Sequence, residues 1–239
     1  MKGYNIFSFV LLVLLTALLL LTGCSKEEET TLLDYKDDFR NVKSGWYVGE
    51  SELEKYSYTD KNTYEIQVLD ANLLPRALAP IPELSPRYTI GADIELTSEK
   101  GHCGLVFNNY TGGSYKDFYL FRLNAPEGTY KISRYNENVG EKEEKWTHLT
   151  GWKTCSANKD GLNTLKIAQN YKKASFYIND QLIEETDEIS FHEDGISVGV
   201  FISSLNVDKD EELGLLEDPV TGEFDNYTVT GYILEEQSK

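Results

Sequence analysis

From Tyr88 to Leu96 the chain alternates strictly: Tyr88, Ile90, Ala92, Ile94 and Leu96 are separated by Thr89, Gly91, Asp93 and Glu95. Side chains along a strand point to opposite faces with a period of two, so this segment reads as a strand with one face in a core. Shorter stretches at 64–68, 103–107, 118–123, 129–135, 162–168, 196–202 and 223–229 read the same way, bounded by Gly, Asn, Asp and Pro. No segment beyond residue 24 carries a sustained helical period, so the expected class is all-β with many antiparallel strands. Pro75, Pro80, Pro82 and Pro86 exclude central-strand pairing over 73–86 and predict a loop crossing a sheet edge. Asn179-Asp180, between apolar runs at 174–178 and 181–183, predicts a hairpin, since both residue types tolerate positive φ. Gly195 and Gly199 predict a bulge or a close backbone approach in the strand beside them.

The first residues belong to a different class. Lys2 precedes an almost unbroken apolar run from Ile6 to Leu20, the layout of an export signal. Leu21-Thr22-Gly23-Cys24 follows and resembles the lipobox of bacterial lipoproteins. The resemblance implies cleavage after residue 23, a lipid on Cys24, and a location in the bacterial cell envelope outside the cytoplasm. Residues 24–33, rich in acidic side chains, are expected to be a solvated tether. Lys26 followed by Glu27, Glu28 and Glu29 also resembles the signal that sends some lipoproteins to the cell surface, so both a surface and a periplasm-facing anchor stay open. An uncleaved membrane span is the competing reading of the apolar run. Residues 34–232 form the expected folded domain and 233–239 a tail.

The formal charge is −17, and loss of Lys2 with the leader makes it −18. Such a chain repels phosphate backbones, which excludes nucleic acid as a partner. Cys103 and Cys155 are the two cysteines left beside Cys24, an even number in an oxidising compartment, and are a disulfide candidate against the reading of two buried thiols. His102, His148 and His192 have no metal-ligand spacing. Asn206, Asp208, Asp210 and Glu217 place oxygen donors at alternate positions as a calcium loop would, but Glu211 stands where such a loop needs glycine, so a solvated acidic loop is preferred and no cofactor is expected. Two Asn-x-Thr triplets, at Asn109 and Asn226, match a glycosylation acceptor and are discounted for a bacterial export route.

Asp37-Asp38-Phe39, Ser44-Gly45-Trp46, Gly104-Leu105-Val106-Phe107, Phe118-Tyr119-Leu120-Phe121, Phe176-Tyr177-Ile178-Asn179 and Phe224-Asp225-Asn226-Tyr227 occur in the order seen in bacterial concanavalin A-like lectin/glucanase domains. The chain resembles that superfamily, laminin G-like and family 16 glycoside hydrolase-like members above all. The resemblance implies a jelly-roll sandwich of two antiparallel sheets, one convex and one concave. Family 16 enzymes carry their paired carboxylates as Glu-x-Asp-x-x-Glu. The nearest stretch here, from Glu223 to Thr228, has threonine at the proton donor's position, and a hydroxyl cannot supply that proton near neutral pH.

Aromatic residues beside turns suit sugar rings, whose C–H faces stack on them. Trp46, Tyr110, Tyr115 and Trp152 are the ligand-binding candidates, with Arg122 a polar partner, each against the alternative of ordinary packing; for Arg122 and Arg134 an internal ion pair with a carboxylate is the competing role. The expectation is a lipid-anchored, non-catalytic module binding carbohydrate. The alternatives are a glycoside hydrolase of the same fold and a structural or protein-interaction lipoprotein of the envelope.

Overall fold

The computed structural model describes residues 31–110, 115–140, 143–204 and 214–234, and every regular element in them is a strand. Cys24, Asn206, Asp208 and Asp210 lie outside these residues. The strands form two antiparallel sheets, one of nine and one of seven. The larger sheet is built on two long neighbours, β6 (Leu84–Leu96) and β16 (Leu215–Ile233). Beyond β6 come β12 (Asn163–Asn170), β13 (Lys173–Ile178) and β14 (Gln181–Thr186). Beyond β16 come β4 (Tyr64–Asp70), β3 (Glu54–Tyr58) and β2 (Gly49–Glu50), with β1 (Leu32–Asp37) lying end to end with β4 along the same edge of β16. The seven-stranded sheet runs β10 (Trp146–His148), β9 (Thr129–Asn136), β8 (Asp117–Asn124), β7 (His102–Tyr110), β15 (Ser197–Ser203) and β5 (Arg76–Leu78), and β11 (Lys153–Thr154) also pairs with β9.

This is the all-β class that the alternation predicts and the jelly-roll sandwich that the resemblance implies. Ile90 and Ile94 of β6, Ile66 and Val68 of β4, and Phe224 of β16 meet Leu105, Phe121, Ile132 and Val200 of the other sheet in one core. The Asn179-Asp180 turn has both residues at positive φ, 49° and 63°, which matches the right-handed twist of the two strands it joins. A register shift falls between Ser197 and Gly199, and a side chain at Gly199 would strike the Ala77 carbonyl of β5, so the bulge and the close approach coincide.

The proline-rich segment departs in part from expectation. Its middle is the edge strand β5, but its end already belongs to the central strand β6. Pro86 is tolerated there because the β6–β16 register shifts between Gly231 and Ile233, at the point where a proline has no N–H to give. Likewise β16 begins eight residues before the predicted 223, with Pro219 taken up in a second register shift between Leu215 and Val220.

Cys103 and Cys155 are both free thiols, which corrects the disulfide expectation. Cys103 pairs with Leu123, Leu123 with Tyr130 and Tyr130 with Lys153. Three strand spacings, about 14 Å, therefore separate Cys103 from the strand that leads to Cys155, against the roughly 7 Å a bridge can span. Burial pushes the Cys103 thiol up to about 12. In the folded protein iodoacetamide should modify the half-buried Cys155 and spare Cys103 until denaturant is added, read by peptide mass. Equal protection of both residues that is reversed by reductant alone would restore the bridge.

Candidate functional site

Alternate residues of β7, β8 and β9 face away from the core, on the outer side of the seven-stranded sheet. Val106, Phe118, Leu120 and Phe201 form a second buried cluster there, with Leu74, Leu78, Tyr135 and Trp146 packed against it. This explains why β8 is buried at all eight positions, whereas its sequence promised a half-buried strand. Gly104 sits beneath this layer, and any side chain there would collide with the Phe121 carbonyl of the neighbouring strand.

Cations are laid on the aromatic rings of this face. The Arg76 guanidinium lies 4.0 Å from the Phe118 ring centre, that of Arg122 4.8 Å from Trp146, and the Lys131 ammonium 5.8 Å from Trp152. Burial lowers the pKa of Arg76. Towards β11 the layer opens: Trp152 is 40% exposed and its indole packs on the His102 ring with centres 4.6 Å apart. Lys131 Nζ is 3.4 Å from His148 Nε2 beside it. The outward positions of β7, β8, β9 and β15 include Arg122, Lys131, Ser133, Val106, Phe118 and Phe201, and among the described residues none of them is aspartate or glutamate.

The sequence-level candidates are thus dispersed. Trp46 is a core residue, 4% exposed, whose indole N–H donates to Asp37 Oδ2 at 3.0 Å. Arg122 is fully buried under Trp146, where a ligand cannot touch it. Tyr110 and Tyr115 lie together, ring centres 5.7 Å apart, but at the opposite end of the sheet from Trp152. There Tyr110 stacks on His192 at 3.8 Å. His192 Nε2 is 3.0 Å from Asp117 Oδ2, and Asp117 also accepts both guanidinium hydrogen bonds of Arg134, at 2.9 and 2.6 Å. That bidentate pair holds Arg134 more firmly protonated and is the internal ion pair considered for it. Asp117 and His192 escaped sequence reasoning because they are 75 residues apart and neither belongs to a local motif.

The Glu223–Thr228 stretch is on β16, in the other sheet. Glu223 is buried and takes hydrogen bonds from Lys61 Nζ at 2.7 Å and Thr63 Oγ1 at 3.1 Å, so its role there is to hold the β3–β4 turn. Asp225 has its pKa raised, first by burial and then by neighbouring Asp93 and Asp38. Glu217 is exposed on β16, and no group of three metal-ligating side chains occurs among the described residues.

No protein-family model matches the chain, and no curated relative does. Solved structures do. The Bacillus licheniformis β-glucanase superposes with a TM-score of 0.52 at 14% identity, over 84% of this chain and 98% of that one. A Bacillus subtilis protein with a galectin-like fold gives 0.53 at 11%, over 84% and 96%. The CBM2 module of the evolved Dit of Lactobacillus casei BL23 phage J-1 gives 0.51 at 11%, over 86% and 98%. At these identities the likeness shows the shared jelly-roll fold.

Proposed function

We propose that this chain is a non-catalytic carbohydrate-binding module, held at the bacterial cell envelope by a lipid on Cys24. The observation that carries the proposal is the outer face of the seven-stranded sheet, where aromatic and cationic side chains replace carboxylates at the described positions. A retaining glycosidase needs two carboxyl groups about 5 to 5.5 Å apart, and no described outward position of these strands carries one. Trp152 is the ring offered to a sugar face, and Lys131 and His148 are the polar groups beside it. A glucanase and a CBM2 module among the similar structures are compatible with a carbohydrate role.

The test is a glycan array followed by calorimetry on residues 31–239. Trp152→Ala should weaken binding by about 1–3 kcal/mol, by analogy with ring stacking elsewhere, and leave the unfolding midpoint unchanged. Release of reducing ends from a bound polysaccharide would favour the hydrolase, and specific retention of an envelope protein with no glycan bound would favour the interaction lipoprotein.

A further inference from the structure

The two ends of the sandwich are not equivalent with respect to Cys24. Thr31 accepts a hydrogen bond from Ile233 N and Leu32 pairs with Tyr232, so the chain enters the fold at the end where β16 finishes and β6 begins. The same end carries the β7–β8, β12–β13 and β14–β15 connections. Tyr88 fixes this by donating towards Asn108 at 3.0 Å and Gln169 at 2.8 Å, and Tyr171 N donates to Pro86 O at 2.7 Å. Seven residue steps separate Cys24 from Thr31, a reach of at most about 25 Å.

Among the described residues, that end carries Leu32, Tyr171, Phe191, Tyr110 and Tyr115. Leu32 is 61% and Tyr171 56% exposed. Tyr171 meets Phe191 edge to face at 5.9 Å, and Phe191 adjoins His192 in the Tyr110–Tyr115 group. None of these five belongs to either core cluster. Lys172, Lys173, Arg87 and Lys116 flank them, and so do Glu83, Glu137, Asp187, Glu188, Glu193 and Asp194, so acidic side chains outnumber basic ones there. Leu162 and Leu215 also project, but towards the other end, where Asn163 pairs with Ile94 and Gly222 with Leu96, and Leu182 projects from β14 level with Gly91 of β6.

We infer that this end of the sandwich is a membrane-docking surface: Leu32, Tyr171, Phe191, Tyr110 and Tyr115 enter the headgroup region of the bilayer in which the lipid on Cys24 is anchored. The inference rests on the lipid anchor proposed above. Tyrosine suits that depth because its ring is apolar and its hydroxyl stays wet. Docking there turns the Trp152 end away from the membrane, towards soluble or wall-bound polysaccharide. Because acidic side chains outnumber basic ones there, contact is made by the rings and does not draw on anionic lipid.

The test uses the full chain, made in a bacterium, extracted and reconstituted in phosphatidylcholine vesicles with brominated acyl chains, as wild type and as Tyr171→Trp. Intact mass reports the lipid, and fluorescence reports docking. Emission added by Tyr171→Trp should be quenched by at least about half, as expected for a ring at the headgroup and acyl boundary, and raising the salt should not restore it. The native tryptophans, in the core or on the sheet face, give the reference. A lipidated chain whose added emission is unquenched overturns docking and leaves the anchor standing. An unlipidated chain that is quenched supports docking and overturns the anchor. An unlipidated, unquenched chain overturns both. Tyr171→Ser with Phe191→Ser should raise backbone exchange at 187–194 on vesicles, and an unchanged vesicle-dependent protection there would also count against docking.

Discussion

Trp46→Ala will cost about 3–5 kcal/mol of stability, the range for emptying a buried aromatic site. The indole lies 5.3 Å from Phe39, 5.4 Å from Tyr64 and, edge on, 4.9 Å from Tyr227, all buried rings. These neighbours come from three separate segments, the loop after β1, β4 and β16, so the space cannot close by moving one side chain. The substitution also removes the N–H that reaches the buried Asp37 carboxylate at 3.0 Å, and a buried acceptor stripped of a donor adds its own penalty. Trp46→Phe keeps most of the volume and loses the hydrogen bond, so it should fall about 1–2 kcal/mol below wild type. Urea unfolding measures both as a lower midpoint at constant slope. A Trp46→Ala protein with the wild-type midpoint and weakened glycan binding would return this residue to the ligand.

The contrast between Trp46 and Trp152 shows what the sequence could convey. Both follow glycine near turns, and nothing local separates a ring that closes the sandwich from one left at its rim. The difference lies in which strand passes overhead, a long-range matter: Trp46 meets Tyr227 of β16, 181 positions on, by the difference of the two numbers. Strand alternation was legible because one-sided burial imprints a period of two, and β6 and β12 carry it. It failed as a guide to β8, where Phe118, Leu120 and Arg122 face a second covered layer and every position is buried. A continuous apolar run records burial without saying on which face. The Asn179-Asp180 hairpin was legible for a third reason, because the positive φ it needs is a tolerance of those two residue types themselves.

Asp117→Ala should be the most damaging change at the end of the sandwich that carries the β7–β8 and β14–β15 connections, at about 3 kcal/mol. Asp117 is 3% exposed and satisfies the Arg134 guanidinium through two hydrogen bonds and His192 through a third. Breaking a buried pair by deleting one partner typically costs about 3–5 kcal/mol, because the other charge stays behind uncompensated. The Arg134 side chain is 24% exposed and can recover some water, which places the expectation at the lower edge of that range. Removing both charges avoids the stranded cation, so Asp117→Ala with Arg134→Met should cost less than the sum of the single changes by about 1–3 kcal/mol in a double-mutant cycle. The third bond gives the cycle a local readout. His192 joins the β14–β15 connection to β8 through Asp117 and stacks on Tyr110, so its loss frees the segment that carries Phe191. Amide exchange at 187–194 should therefore rise in Asp117→Ala more than global unfolding accounts for, whereas Trp46→Ala, at equal destabilisation, should raise it only through global unfolding. Equal exchange in the two variants would mean that the Asp117 bond to His192 does not hold this connection in place.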